Sequence, residues 1–413
     1  MGVNKSEFIR SILHFSDNHK AIPRGQPGHD RLYKLRPVVE ELRSKFKSVA
    51  LEQKLCVDEQ MCATKAKNYL RQYLPKKPHK WGYKIYVLSG VSGFAYDFEI
   101  YTGQGNDETL RLPGEPDLGS CANVVVRLTR CVSPQNHQIY FDNFYTSLPL
   151  IVHLAKKNIH ALGTVRRDRI PGNKLPSETE LKEKERGFSA ENCVQVDDVE
   201  VYCVVWKDNK SVTLLSSFVG IGKQEQVDRF CKKKKVIQKV NCPQVVKSYN
   251  QHMGGVDKIN SIIGRYKIRM KTRKWYLRLF YHLLDVTMCN SWLLYQRVCR
   301  DRGDINIMPL AEFRESVAIT MCRLGSNITP KRGRPSTELD VALLTKSKKP
   351  HVSALPPKEV RKDQTGHWPI WNNNRLRCKL PDCESRSYVN CSKCNLTLCL
   401  NKDKNCFYKF HNQ

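Results

Sequence analysis

The sequence predicts a mixed α/β protein: a helical region, a core interrupted by a β-rich insertion, and a cysteine-rich metal-binding module at the end. Three observations carry this. The spacing of apolar residues changes along the chain from helical to alternating and back again. A polar, basic stretch follows the longest amphipathic helix. Six of the seventeen cysteines crowd into the segment from Cys378 to Cys406.

The first fifty-odd residues read as helical, with Val38, Val39, Leu42 and Phe46 on one face of RLYKLRPVVEELRSKFKSV and charges on the other. Between Tyr83 and Tyr101 the period drops to two. KIYVL and FAYDFEIY read as strands, and the Ser/Gly-rich SGVSG between them signals a hairpin. VVVRL reads as a further strand. HQIYF is another, running into a helix over SLPLIVHLAKKN with Leu148, Ile151, Val152 and Ala155 on one face, and ALGTVRR starts the next. In the insertion, VEVYCVVWKDNKSVTLLSSF is two strands around the polar turn KDNK. WYLRLFYHLLDVTMCNSWLLY is a long amphipathic helix carrying Arg278, His282 and Asp285. Beyond about Arg300, GSNITPKRGRPSTE and KSKKPHVSALPPKE have the composition of a linker. The expected division is a helical region over 1–56, a core over 57–165 and 244–300, an insertion over 166–243, a basic linker over 301–365 and a cysteine-rich domain over 366–413.

Seventy Lys and Arg against forty Asp and Glu give a net charge of +30. An excess of that size speaks to partners rather than fold, and nucleic acid is the commonest partner; a ribosomal or membrane-surface role is the alternative. No run of eighteen apolar residues implies a membrane span, and the N-terminus lacks the apolar stretch of a signal peptide. Without such a leader, scattered cysteines read as small core residues and clustered ones as metal ligands.

The cluster is Cys378-x4-Cys383-x7-Cys391-x2-Cys394-x4-Cys399-x6-Cys406-x4-His411. Zinc takes four soft or borderline donors in a tetrahedron, and Cys391-x2-Cys394 supplies two from one turn. A segment this short buries little apolar surface, so metal must supply much of its folding free energy. Seven ligands are too many for one ion and one short of two. His367 is the expected eighth, with Asp403 in reserve. Interleaved pairing would place Cys391, Cys394, Cys406 and His411 on one structural Zn²⁺ and Cys378, Cys383 and Cys399, with His367, on the other.

Two basic features stand out. KRGRP contains Arg332-Gly333-Arg334, the core of an AT-hook, which as a flat strip fits the narrow minor groove of A·T tracts. A plain basic linker or a nuclear-import signal is the other reading, and either points to the nucleus. In RYKIRMKTRKWYLR, Arg265, Lys267, Arg269, Lys271 and Arg273 recur every second residue, so an extended backbone would present them on one face to a row of phosphates. A solvated charged face is the blander alternative.

Two segments are too particular for composition to explain: QIYFDNFYTSLPLIVHLAKKNIHALGTVRRDRIPG and NQHMGGVDKINSIIGRYKIRMKTRKWYLRLFYHLLDVTMCNSWLLY. With VDEQM, YLPKKPHKWGYKIYVLSGVSGFAYDFEIYTG and the cysteine-rich end, they resemble the piggyBac transposase family over almost the whole chain. Measured against that resemblance, the N-terminal part looks shortened. The resemblance implies a ribonuclease H-like core in which three acidic residues hold two divalent ions, Mg²⁺ in an active enzyme, for cutting and joining DNA at TTAA sites. It places two of these acids at Asp142 and Asp257, and a further family acid at what is here Asn260. It places the first acid directly after KIYVL, in a Cys-Asp-Ser sequence where this chain has Ser89-Gly90, which leaves Asp97 or Glu99 as replacements. A homodimer is expected from the resemblance as well. The functional expectation is a DNA-binding protein derived from such a transposase, with strand transfer lost or impaired and terminal-repeat-like or A·T-rich DNA as partner. The alternatives are an active transposase and a chromatin or transcription adaptor acting through the zinc module.

Overall fold

The computed structural model describes residues 2–412 except 76, 104–107, 135, 171, 232–234 and 325–354. It divides into two compact units, residues 14–331 and residues 1–13 with 332–413. The AT-hook-like Arg332-Gly333-Arg334 lies outside the described residues.

Helix at the start of the chain is confined to α1 (Val3–Ile12) and α2 (Arg36–Lys47), with turns between. The larger unit continues with β1 (Lys54–Ala63), β2 (Arg71–Tyr73), β3 (Trp81–Gly90), β4 (Ala95–Ile100), α3 (Ser120–Leu128), β5 (His137–Phe141), α4 (Leu148–Lys156), β6 (Ile159–Thr164) and α5 (Glu178–Glu183). Then follow β7 (Ser189–Val196), β8 (Val199–Lys207), β9 (Ser211–Ser216), β10 (Glu225–Cys231), β11 (Val236–Cys242), α6 (Gln244–His252), α7 (Gly255–Arg265), α8 (Trp275–Arg302) and α9 (Leu310–Leu324).

Two readings change. VVVRL lies in α3, not in a strand. Every residue from Ala122 to Leu128 is buried, and an apolar run buried on all sides suits a helix as well as a strand; packing against β3 and β4 decides. The second change is β1, which has no clean alternation because Asp58, Glu59 and Gln60 interrupt it, yet it is the central strand.

A nine-stranded sheet orders its strands β2-β3-β1-β5-β6-β9-β8-β7, with β4 also paired to β3. The first three long strands, β1, β3 and β4, are antiparallel, whereas β5 and β6 run parallel to β1. Helix α4 makes the crossover between the parallel pair β5 and β6. The insertion does not keep its strands to itself: β9, β8 and β7 extend the sheet past β6, while β10 and β11 form a separate ribbon.

Residues paired across a ladder share a face, and that alternation separates the acids of the core. Asp58 pairs with Val87, and Val87 with Phe98, so Asp58 lies on the Val87–Phe98 face. Asp97 and Glu99 pair with Leu88 and Tyr86 on the opposite face. There the Arg43 guanidinium of α2 donates to both Asp97 oxygens at 2.6 and 2.9 Å, and Arg127 of α3 donates to both Glu99 oxygens at 2.7 and 2.6 Å. Bidentate arginines occupy both carboxylates as structural ion pairs. Neither therefore replaces the acid missing at Gly90.

The smaller unit contains α1, α10 (Lys358–Arg361), the antiparallel ribbon β12 (Pro369–Arg377) and β13 (Arg386–Cys391), and α11 (Cys406–Asn412).

Candidate functional site

The site is built on β1, β5 and α7. Val57 pairs with Phe141 at the end of the parallel β1–β5 ladder, so Asp58 and Asp142 are the next residues on neighbouring strands, and both leave on the same face. The motif after HQIYF is turn machinery for Asp142. Its side chain accepts the Phe144 N–H at 2.9 Å, and its carbonyl accepts from the N–H groups of Tyr145 and Thr146 and from the Thr146 hydroxyl. The Ser147 hydroxyl then caps α4 by accepting the Leu150 N–H.

Helix α7 lies on this same face. Gly255, in its first turn, approaches the sheet so closely that a Cβ there would stand 2.3 Å from the Gly90 carbonyl and 2.8 Å from Cys56 Sγ. One end of the contact is thus Gly255 against Cys56. At the other, Gln60 Nε2 donates to Asn260 Oδ1 at 2.7 Å. Asp257, two residues on and about 200° round the helix from Gly255, is exposed. Burial opposes the charge of Lys77, but the charges of Asp58, Glu59 and Asp257 together hold its pKa raised.

Gly90 has a different environment. It pairs with Leu55, on the face away from Asp58, and a Cβ there would meet the Glu52 carboxylate at 2.2 Å. An acid after KIYVL would thus stand on the face away from Asp58, whereas the strand neighbour of Asp142 is Asp58, in VDEQM. Sequence reasoning missed it because β1 was not recognised as a strand. The signal available was an acid directly after the apolar Leu-Cys-Val run.

Burial, reinforced by the adjacent Glu59, pushes the Asp58 carboxyl up to about 8, and burial raises Asp142 as well. Lys77 pairs with Glu59 at 3.4 Å. Asp58, Asp142 and Asp257 are not among the groups whose ligand atoms lie within 4.8 Å of one another.

Beneath α7, Gln60 also accepts from Nε2 of the buried His282 on α8 at 2.8 Å. His282 Nδ1 has no partner among the described residues, and burial depresses the imidazole from 6.5 to about 3. The unfolded chain takes up this proton below about pH 6.5 and the folded one does not. The stability it contributes is present above pH 6.5 and is lost as pH falls toward 3. Comparing urea midpoints at pH 7 and pH 4.5 should show a smaller acid loss in His282→Gln than in wild type.

The basic segment leaves the end of α7 as irregular chain, with a tight turn in which the Met270 N–H donates to the Ile268 carbonyl at 3.1 Å. Arg265, Arg269, Lys271 and Arg273 are exposed, while Ile268, Met270 and Thr272 turn inward and Lys267 is half-buried. Buried Asp285 fixes it by accepting the Ile268 N–H with both oxygens, at 3.3 and 3.1 Å. Arg278 donates to the Met270 carbonyl at 3.0 Å.

In the smaller unit the ligand atoms of His367, Cys391, Cys394 and His411 lie within 4.8 Å of one another, as do those of Cys378, Cys383, Cys399 and Cys406. Both groups could hold a metal ion. His367 Nδ1 is 3.2 Å from Cys391 Sγ and 3.5 Å from Cys394 Sγ, and His411 Nε2 is 3.6 Å from Cys394 Sγ. The remaining imidazole nitrogens are oriented from outside: His367 Nε2 by Asp363 and the Val360 carbonyl, each at 3.0 Å, and His411 Nδ1 by the Phe407 carbonyl at 2.8 Å. Outer partners of this kind fix the tautomer of a ligating histidine. Burial and the neighbouring sulfurs push the Cys399 and Cys406 thiols up, a crowding that a central cation relieves.

The interleaving is as expected, but Cys406 and His367 exchange places. Cys406 opens α11 and His411 ends it. Five residues along a helix turn a side chain by about 140° and carry it about 7.5 Å along the axis, so the two cannot share one ion. Asp403 belongs to neither group.

With this geometry in view, the comparisons are specific. A family profile described as "Transposase IS4" matches residues 1–292. Human PiggyBac transposable element-derived protein 2 is 28% identical over 382 residues, covering 91% of this chain and 59% of that protein. Human PiggyBac transposable element-derived protein 3 is 28% identical over 402 residues, covering 96% and 61%. The chain thus spans about three fifths of the length of the curated relatives it matches. A piggyBac transposase in a synaptic complex with hairpin DNA, solved by cryo-electron microscopy, shares the fold with a TM-score of 0.60 at 21% identity, over 95% of this chain and 78% of that one. The sequence profile, the relatives and the shared fold agree, and the chain belongs to the piggyBac transposase family.

Proposed function

We propose that this protein binds DNA in the nucleus and carries, in a ribonuclease H-like core, an acidic centre for cutting and joining DNA strands, formed by Asp58, Asp142 and Asp257. One observation carries the reading: Asp58 and Asp142 stand side by side where the parallel β1–β5 ladder ends, on the face against which Gly255 brings the helix that carries Asp257. Of the features that favour lost chemistry, the missing acid at Gly90 loses its weight if Asp58 supplies the carboxylate, whereas Asn260 and the shortened N-terminal part keep theirs. Carboxylates raised by burial, with the charge of Glu59 adding to both Asp58 and Asp142, fit divalent cations such as Mg²⁺. Such ions, when bound, polarise the scissile phosphate and activate the attacking oxygen. The chain's own part is to hold the carboxylates in register and to lay a DNA strand across them with Arg265, Lys267, Arg269, Lys271 and Arg273.

The two Cys/His groups fit structural zinc, since mixed sulfur and imidazole donors in closed sets of four are its usual site. The zinc-bearing module contacts terminal-repeat-like DNA, Arg332-Gly333-Arg334 contacts A·T-rich DNA, and the working unit is a homodimer. A second reading, binding without cleavage, is favoured by Asn260, an amide engaged by Gln60 where the family carries an acid.

The deciding experiment incubates the protein with Mg²⁺ and TTAA-flanked terminal-repeat DNA beside an Asp142→Ala variant. Nicking that is lost with Asp142 is the expected result. Salt-sensitive binding with no nicking would replace the catalytic reading with the second.

A further inference from the structure

The far end of β1 and the basic segment enclose a groove that the acidic centre does not use. Its walls are Ala63–Ala66 and Pro78–Trp81 on one side and Met270–Arg273 on the other, around a space of about 930 Å³. Among its lining residues are Lys65, Lys80, Lys271, Arg273 and Arg278, and no Asp or Glu. Positive charge alone would describe a trough for phosphates. Trp81 adds a second chemistry. Its side chain is 44% exposed in the groove wall, with the Arg71 guanidinium 4.1 Å from the ring and Tyr73 stacked obliquely at 4.7 Å. An indole held in place by a guanidinium and a phenol is a rigid stacking platform.

The groove is also preformed. Arg278 ties its walls together, its Nε donating to the Ala63 carbonyl at 2.8 Å and its Nη1 to the Met270 carbonyl at 3.0 Å. Asp285, about two turns further along α8, anchors the basic segment at Ile268. The lining side chains offer positive charge and an aromatic face, the two elements of single-strand binding by stacking and charge.

We propose that this groove holds an unpaired stretch of the DNA strand engaged at the acidic centre, with phosphates on Lys65, Lys80, Lys271 and Arg273 and one base stacked on Trp81. A base presents its face to an indole only when it has left the duplex. Ala63 lies five residues beyond Asp58 on β1, about 17 Å along the strand, so the stacked base lies a few nucleotides from the phosphate at the acids. The inference rests on the reading of the chain as a DNA-processing protein.

The test measures binding of the full chain to a blunt duplex and to the same duplex with a single-stranded extension, at one fixed salt concentration. Trp81→Ala should weaken binding of the extended duplex by about 5- to 150-fold and leave the blunt duplex within about twofold, while Trp81→Phe keeps most of the affinity. Lys271→Ala and Arg273→Ala should weaken both DNAs and each lower the salt slope by about one. A readout that needs no variant uses 2-aminopurine at successive positions of the extension, where quenching on binding marks the stacked base. Equal loss on both DNAs in a normally melting Trp81→Ala, no loss on either, or no quenching at any position overturns the groove proposal. Wild-type protein that binds neither DNA overturns the proposed function and the groove together, whereas binding of both that is indifferent to Trp81 removes only the groove.

Discussion

Stripping metal from the protein should unfold the C-terminal module while residues 14–331 stay folded. Among the described residues of the module, the buried apolar side chains apart from cysteines are Val389, Leu396, Leu398 and Phe410. That is too little burial to order a segment of this length, because fixing each residue costs about 1–2 kcal/mol of backbone entropy. Structural zinc contributes roughly 10–16 kcal/mol per site in small modules, enough to make folding conditional on the ion. Chelation followed by limited proteolysis should release fragments from residues 366–412 and spare the sheet. Metal analysis should find two ions per chain. His367→Ala and Cys406→Ser should each lose one ion, and the double variant both, because the two residues serve different groups. If the double variant still carries one ion, the pairing found here is wrong.

Asp58→Ala should abolish strand cleavage as completely as Asp142→Ala. Each carboxylate in such a centre supports several kcal/mol of charge stabilisation in the transition state, so the loss should be on the order of 10²–10³-fold or more. Asp97→Asn and Glu99→Gln make the informative contrast. Both disturb ion pairs on the other face of the sheet, with Arg43 and Arg127, so they should lower stability and leave the cleavage rate per folded molecule unchanged. Gly90→Asp should not raise activity, since the new carboxylate would meet Glu52 on the wrong face. An Asp58→Ala protein that cuts at the wild-type rate would remove Asp58 from the centre.

These contrasts show how much of the molecule was legible from residues alone. The hairpin of β3 and β4, the strand β5 with its helix α4, the paired strands β8 and β9 and the long α8 follow from periods of two and 3.6 and from Ser/Gly turns. In the basic segment Arg269, Lys271 and Arg273 are exposed at alternate positions, with Met270 and Thr272 less exposed between them. The eight candidate zinc ligands were all legible, since thiol and imidazole donors are few and their close spacing has no other common use.

What failed did so where a residue's meaning depends on a neighbour distant in sequence. VVVRL could not be told from a strand because both faces are buried. Asp58 sits in a strand that periodicity does not reveal, and only the parallel ladder to β5 brings it beside Asp142, eighty-odd residues later. Asp97 and Glu99 share a hairpin with the right strand but face α2 and α3, a distinction set by register. Cys406 and His411 look like one ligand pair until a helix forms between them and turns them apart. The sequence by itself determined the family, the local elements, the charge and the donor atoms, because these are properties of residue type and short spacing. Tertiary structure alone decided which acids share a face and which four donors share an ion, because ladder register and helix rotation set those relations.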